Sequence, residues 1–153
     1  MKSYRYALSI LIFLLITSSA SAAIFVEVPP PDSFRGLAWK TPLQKAGNLS
    51  PVVGKGYENT FFRSDENLKL GDAEIKSVAY YFHNGLFYRV GILFEGQVNH
   101  YHITKALLKE YGRAKRYGAK LGWIWPTFSI QLDFDYATKR GALYYTYEGN
   151  LSE

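Results

Sequence analysis

Residues 127–136 alternate strictly, with Phe128, Ile130, Leu132, Phe134 and Tyr136 on one side and Thr127, Ser129, Gln131, Asp133 and Asp135 on the other. A period of two is that of a half-buried strand. Lys139-Arg140-Gly141 then turns the chain into a last predicted strand over 142–148. Upstream, residues 73–83 and 86–95 flank Asn84-Gly85, a pair that tolerates positive φ at both positions and suits the tight turn of a hairpin. A two-residue loop sets His83 opposite Leu86, Phe82 opposite Phe87 and Tyr80 opposite Arg89. One side of the hairpin then collects Ala73, Ile75, Ser77, Ala79, Tyr81, Leu86, Tyr88, Val90, Ile92 and Phe94. Free of formal charge, it is the expected core face. The other side is charged at its open end and carries Tyr80, Phe82 and Phe87 near the turn.

Helical spacing is weaker. Ile103, Leu107 and Tyr111 recur at i, i+4 and i+8 with Leu108 beside them, which predicts a helix over 100–111 capped by Asn99 and closed by Gly112. Thr41-Pro42 supplies a cap and a first-turn proline, and Gly47 with Ser50-Pro51 ends the element, which predicts a short helix over 42–46. Residues 57–63 and 68–70 read as strands parted by polar turns. The order is α-βββ-α-βββ, an α+β fold with two helices packed on one face of an antiparallel meander. The two halves echo one another as a weak internal duplication would.

The apolar pattern at the start of the chain is of another kind. Lys2 and Arg5 precede an apolar run over 7–16, and Thr17-Ser18-Ser19-Ala20-Ser21-Ala22 is a small-residue exit with alanines where an export peptidase needs them. Residues 1–22 are therefore read as a cleaved export signal, cut between Ala22 and Ala23, and the product as periplasmic or secreted. Because no charge interrupts 7–26, an uncleaved N-terminal membrane anchor is the alternative. Pro29-Pro30-Pro31 makes 23–33 an extended spacer, and a single domain follows over 34–153.

Cleavage leaves 131 residues, enough for one core, and removes two of the basic residues, lowering the formal charge from +5 to +3. That balance, in an exported chain, gives no ground for a nucleic-acid partner. The chain has no cysteine, hence no disulfide and no thiolate chemistry.

Four motifs run through the mature part: Phe34-Arg35-Gly36 followed by Trp39, the Gly71-Asp72-Ala73 turn, Leu108 with Tyr111-Gly112, and Trp125 with Thr127 and Ser129-Ile130. Together they resemble a family of small exported bacterial proteins without assigned function. The resemblance implies compartment and fold, and no activity.

Candidate chemistry is sparse. His100 and His102, with His83 distant, lack the further ligands a metal requires, and on a helix they diverge; no metal and no cofactor is expected. Asp133 and Asp135 share one side of a strand at about 7 Å, a spacing also found between paired catalytic carboxylates, so a small hydrolase is one alternative reading. No nucleophile elbow or phosphate loop occurs. Six basic residues, Lys105, Lys109, Arg113, Lys115, Arg116 and Lys120, stand against Glu110 alone. Lys105, Lys109, Arg113 and Arg116 are the candidates for contact with an anionic surface. Tyr80, Phe82, Phe87 and Arg89 on the outer hairpin side, with Trp123 and Trp125, are candidates for docking a protein or glycan of the cell envelope. The function expected first is a non-enzymatic envelope binding module.

Overall fold

The computed structural model describes residues 28–152. The export leader and its cleavage point, and residues 23–27 of the spacer, lie outside the described residues. No described helix is long and apolar enough to cross a membrane.

In chain order the elements are β1 (Ser33–Phe34), β2 (Leu37–Ala38), a 3₁₀ turn at Leu43–Lys45, β3 (Ser50–Pro51), β4 (Thr60–Phe62), β5 (Lys69–Leu70), β6 (Ala73–Glu74), β7 (Ser77–His83), β8 (Leu86–Glu95), α1 (Gln97–Tyr111), β9 (Lys115–Tyr117), β10 (Lys120–Trp125), β11 (Phe128–Asp135) and β12 (Arg140–Tyr147). Eight strands form one antiparallel sheet in the order β3-β4-β7-β8-β12-β11-β10-β9. The expected α+β arrangement of two helices on a meander is thus corrected to a mainly β fold with a single α-helix among the described residues. The predicted helix over 42–46 contracts to the three-residue 3₁₀ turn, because its segment instead bonds to the hairpin: Leu43 N–H donates to the Gly85 carbonyl at 2.9 Å and Lys40 N–H to the Phe87 carbonyl at 2.7 Å. With one helix and unequal halves, the expected internal duplication has no counterpart among the described residues. The basic stretch before Thr127 forms the hairpin β9–β10, turning at Gly118 with φ 61°.

The faces of the central hairpin are also corrected. Asn84 and Gly85 do take positive φ, 49° and 73°, and His83 faces Leu86 and Phe82 faces Phe87 as the turn requires. Beyond that the register shifts, so that Tyr81 faces Arg89 and Tyr80 faces Val90. Tyr88 is an extra residue on β8, a β-bulge, and it reverses the alternation of everything after it. Phe87 and Val90, three apart, therefore both point inward, and Val78, Tyr80 and Phe82 join them in the core while Tyr81 and Arg89 turn outward.

The core lies on one face of the sheet. Val78, Tyr80, Phe87, Val90, Ile92, Phe94, Trp123, Phe128, Ile130, Leu132, Phe134 and Leu143 are buried there under Ile103 and Leu107 of α1 and under Phe34, Leu37 and Trp39 of the β1–β2 segment. Helix α1 begins at Gln97, three residues before the predicted start, and Asn99 does not cap it. Its amide ties neighbouring segments together instead, accepting from Glu74 N–H at 2.9 Å and donating to the Glu95 carbonyl at 2.8 Å. The Arg35-Gly36 turn, φ 48° and 79°, presents Arg35 to the 64–69 loop, where it pairs with Glu66 and donates to the carbonyls of Asn67 and Lys69, each at 2.7 Å. Tyr80 closes the clamp from the sheet, its hydroxyl donating to Glu66 Oε2 at 2.6 Å.

Opposite the core, the sheet face carries Tyr81, Arg89, Gly91, Leu93, Tyr144, Gln131 and Asp133, and no helix among the described residues lies over it.

Candidate functional site

The aromatic residues singled out from the sequence are packed inside. Tyr80, Phe82 and Phe87 are buried, and Trp39 lies on Phe87. Trp123 and Trp125 are buried as well, and each indole satisfies its N–H with a carbonyl: Trp123 with Gly112 at 2.9 Å, Trp125 with Val28 at 2.8 Å. Phe82 and its neighbours thus have no exposed ring to offer a partner. Arg89 is separated from them, on the opposite face of the sheet.

Asp133 and Asp135 border one open hollow of about 600 Å³, but each is already engaged. Asp133 pairs with Lys120 at 3.1 Å and accepts from the Gln131 amide. Asp135 caps the turn that follows, accepting from Ala137 N–H and from Thr138 Oγ1, both at 2.8 Å. Those hydrogen bonds, the Thr138 hydroxyl first, hold its carboxyl below the usual carboxylate range. A carboxylate stabilised as the anion is a poor general acid.

The histidines diverge. His100 lies parallel to Phe134, ring centroids 4.3 Å apart, whereas His102 leaves the outer side of α1 against Tyr101 and His83 sits by Tyr88. Among the described residues no group of three or more His, Asp or Glu is placed to hold a metal ion.

The basic segment is brought together. Lys105 and Lys109 stand on the exposed side of α1, and Arg113, Lys115 and Arg116 follow on the connection and on β9, which closes the sheet as an edge strand. Lysine and arginine on an edge strand also discourage strand addition by another chain. Lys120, tied to Asp133, is drawn away from the group. Between α1 and β9 lies a hollow of about 800 Å³ lined by Thr104, Leu108, Arg113, Ala114, Lys115, Arg116, Tyr117 and Leu121. Its lining combines aliphatic Leu108, Ala114 and Leu121 with cationic Arg113, Lys115 and Arg116, and no carboxylate lines it. The Thr104 hydroxyl on the helix side is buried without a hydrogen-bond partner.

Sequence reasoning missed the exposed apolar residues of α1 and β9. Val98, Tyr101, Leu108 and Tyr117 are 69%, 60%, 43% and 53% exposed. Val98, Tyr101, Lys105 and Leu108 fall on one side of α1 at spacings of three and four, so lysine and apolar side chains share the solvent face. Of this second apolar stripe only Leu108 enters the helix pattern read from the sequence, beside Ile103 and Leu107, and Val98 lies before the predicted helix start.

Compared with protein-family models, with curated proteins and with solved structures, the chain matches none.

Proposed function

We propose that the protein is an exported, non-enzymatic binding module that docks on an anionic surface of the cell envelope through the corner formed by α1 and β9. The observation that carries this reading is the mixture on that corner: Lys105, Lys109, Arg113, Lys115 and Arg116 alternate with exposed Val98, Tyr101, Leu108 and Tyr117, and the hollow between them has no acidic lining. Cations alone describe an ordinary solvated face. Cations interleaved with exposed apolar and tyrosine side chains suit the interfacial zone of a bilayer, where the charge meets headgroups and the apolar groups leave water. The leader read from residues 1–22 would deliver the protein to such a surface.

Co-sedimentation with vesicles of neutral or partly anionic lipid tests the reading. Binding should require the anionic lipid and weaken with salt, each of Lys105, Lys109, Arg113 and Arg116 contributing on the order of 1 kcal/mol. Replacing all four by glutamine should abolish it. Absence of binding at low salt, or binding unaffected by the fourfold replacement, would overturn the proposal.

A further inference from the structure

We propose that Arg89 is the anchor of a second binding site, on the open face of the sheet, that takes a small oxyanion group, carboxylate or phosphate, in the fork of its guanidinium between Tyr81 and Tyr144. The site does not depend on the surface proposed above, since α1 packs against the other side of the sheet.

The bulge at Tyr88 creates the site. By adding one residue to β8 it sends Arg89 to the open face, opposite Tyr81 on β7 and Thr146 on β12. There the guanidinium carbon sits 4.3 Å from the Tyr144 ring centroid and 5.9 Å from that of Tyr81. Gly91, the next outward position on β8, lets the two rings converge. A Cβ at Gly91 would meet Tyr144 Cε1 at 3.1 Å, Tyr81 Cε2 at 3.2 Å and the Tyr81 hydroxyl at 3.3 Å. The rings thus lean together over bare backbone and hold the guanidinium beside them.

Aromatic faces attract the cation but accept none of its N–H bonds in its own plane. One of those donors is unmet. Arg89 Nε is buried and has no hydrogen-bond partner, and the ion pairs among the described residues join Arg35 to Glu66, Lys76 and Arg140 to Glu95, and Lys120 to Asp133, leaving Arg89 out. Arg35 shows the contrast, with a carboxylate and two carbonyls around its guanidinium. A desolvated donor without an acceptor is costly, and a planar oxyanion can satisfy the guanidinium edge with two parallel hydrogen bonds. The Tyr81 hydroxyl, which lies over Gly91 on the same face, is a further donor there. Its ionisation is pushed up by burial and then by the neighbouring Tyr144, so it keeps its proton at neutral pH. The hollow beside Asp133 and Asp135 offers carboxylates instead and would repel such a ligand.

The test is an NMR titration of the ¹⁵N-labelled protein, following the arginine Nε–H resonances as inorganic phosphate or acetate is added, with sodium chloride at matched ionic strength as the control. Loss of one resonance in Arg89→Lys identifies Arg89. A saturable shift of that resonance with phosphate, with acetate or with both is expected, and the anion that saturates first says which group the site prefers. Arg89→Lys keeps the charge but lacks the fork, so affinity read from the amides of Gly91 and Tyr144 should fall about tenfold or more. If neither anion moves the Arg89 resonance beyond the chloride control, or if Arg89→Lys binds as well as the parent, the site does not exist. Should the variant fail to fold, through-bond correlation of the side-chain Nε–H to its own backbone amide assigns Arg89 in the parent protein, whose titration then decides the matter.

Discussion

Trp39 lies flat on Phe87, ring centroids 4.8 Å apart and planes 15° from parallel, and so brings the segment after β2 onto the central hairpin. The Trp39 indole N–H donates to the Pro31 carbonyl at 2.8 Å, so the same side chain also fastens the proline stretch to the body. Phe87 is fully buried beneath it and further touches Tyr80 and Phe82. Phe87→Ala should therefore cost about 3–5 kcal/mol, the range for truncating a core aromatic. Urea unfolding followed by tryptophan fluorescence measures this. A loss below about 1 kcal/mol, the range of surface substitutions, would mean that Phe87 is not held as described.

Gly141 has a different vulnerability. It lies opposite Phe94 across β12 and β8, both facing the core, and the Phe94 ring covers it so closely that a Cβ there would stand inside the ring. Phe94 in turn lies parallel to Phe134, centroids 6.0 Å apart, and to His100 at 6.2 Å. Gly141→Ala must displace this stack and should cost about 1–3 kcal/mol, as overpacking does. Gly141→Ala combined with Phe94→Leu should recover part of the loss, and thermal unfolding of the single and double variants checks the coupling.

Much of the sheet was legible because β11 and the β7–β8 turn carry local signals: strict alternation in the first and the Asn84-Gly85 pair in the second. The bulge was not legible. Nothing in Phe87-Tyr88-Arg89 marks which residue is extra, since all three suit a strand, and the choice is made by packing: with Tyr88 extruded, Phe87 and Val90 both reach the core. That single residue moved Tyr80 and Phe82 from an expected surface patch into the interior, and it left Arg89 on the open face. The helix over 42–46 failed for a related reason. Five residues with a good cap cannot outweigh backbone hydrogen bonds to Gly85 and Phe87, which only the tertiary fold provides. The basic segment was visible as charge, but its clustering depended on β9 folding back along β10, and its mixing with Val98 and Tyr101 on which side of α1 faces out.

His100 should make the protein acid-sensitive. Its ring is stacked on Phe134, and burial lowers its pKa below the ordinary histidine value of about 6.5. In the unfolded chain it takes up a proton at a higher pH than in the folded one, so its contribution to stability is whole above about pH 6.5 and declines as the pH falls through the lowered folded value. His100→Phe keeps an aromatic ring against Phe134 and removes the proton. The thermal midpoint of the variant should fall less than the parent's as the buffer is taken from about pH 7 to about pH 5. Parallel curves for the two proteins would exclude His100 as the source of the acid loss.

The Tyr80–Glu66–Arg35 clamp should act at the opposite end of the pH scale. The Tyr80 hydroxyl is raised well above the ordinary tyrosine value of about 10, first by burial and then by its hydrogen bond to the Glu66 carboxylate. The folded chain therefore holds this proton to a higher pH than the unfolded chain does. Its contribution is fully present below about pH 10 and falls as the pH rises from there, because the unfolded state can then release the proton and the folded state cannot. Tyr111 and Tyr145 are raised in the same direction, chiefly by burial, so the alkaline loss is shared. Tyr80→Phe removes the donor while Arg35 continues to pair with Glu66. It should cost about 1.5–3 kcal/mol at neutral pH, as a hydrogen bond to a charged group does. It should also make the decline above about pH 10 shallower without abolishing it. Urea unfolding of parent and variant at neutral and at alkaline pH measures both effects. A variant as stable as the parent at neutral pH, with the same alkaline slope, would show that the β1–β2 turn is held by Arg35 and the loop carbonyls alone.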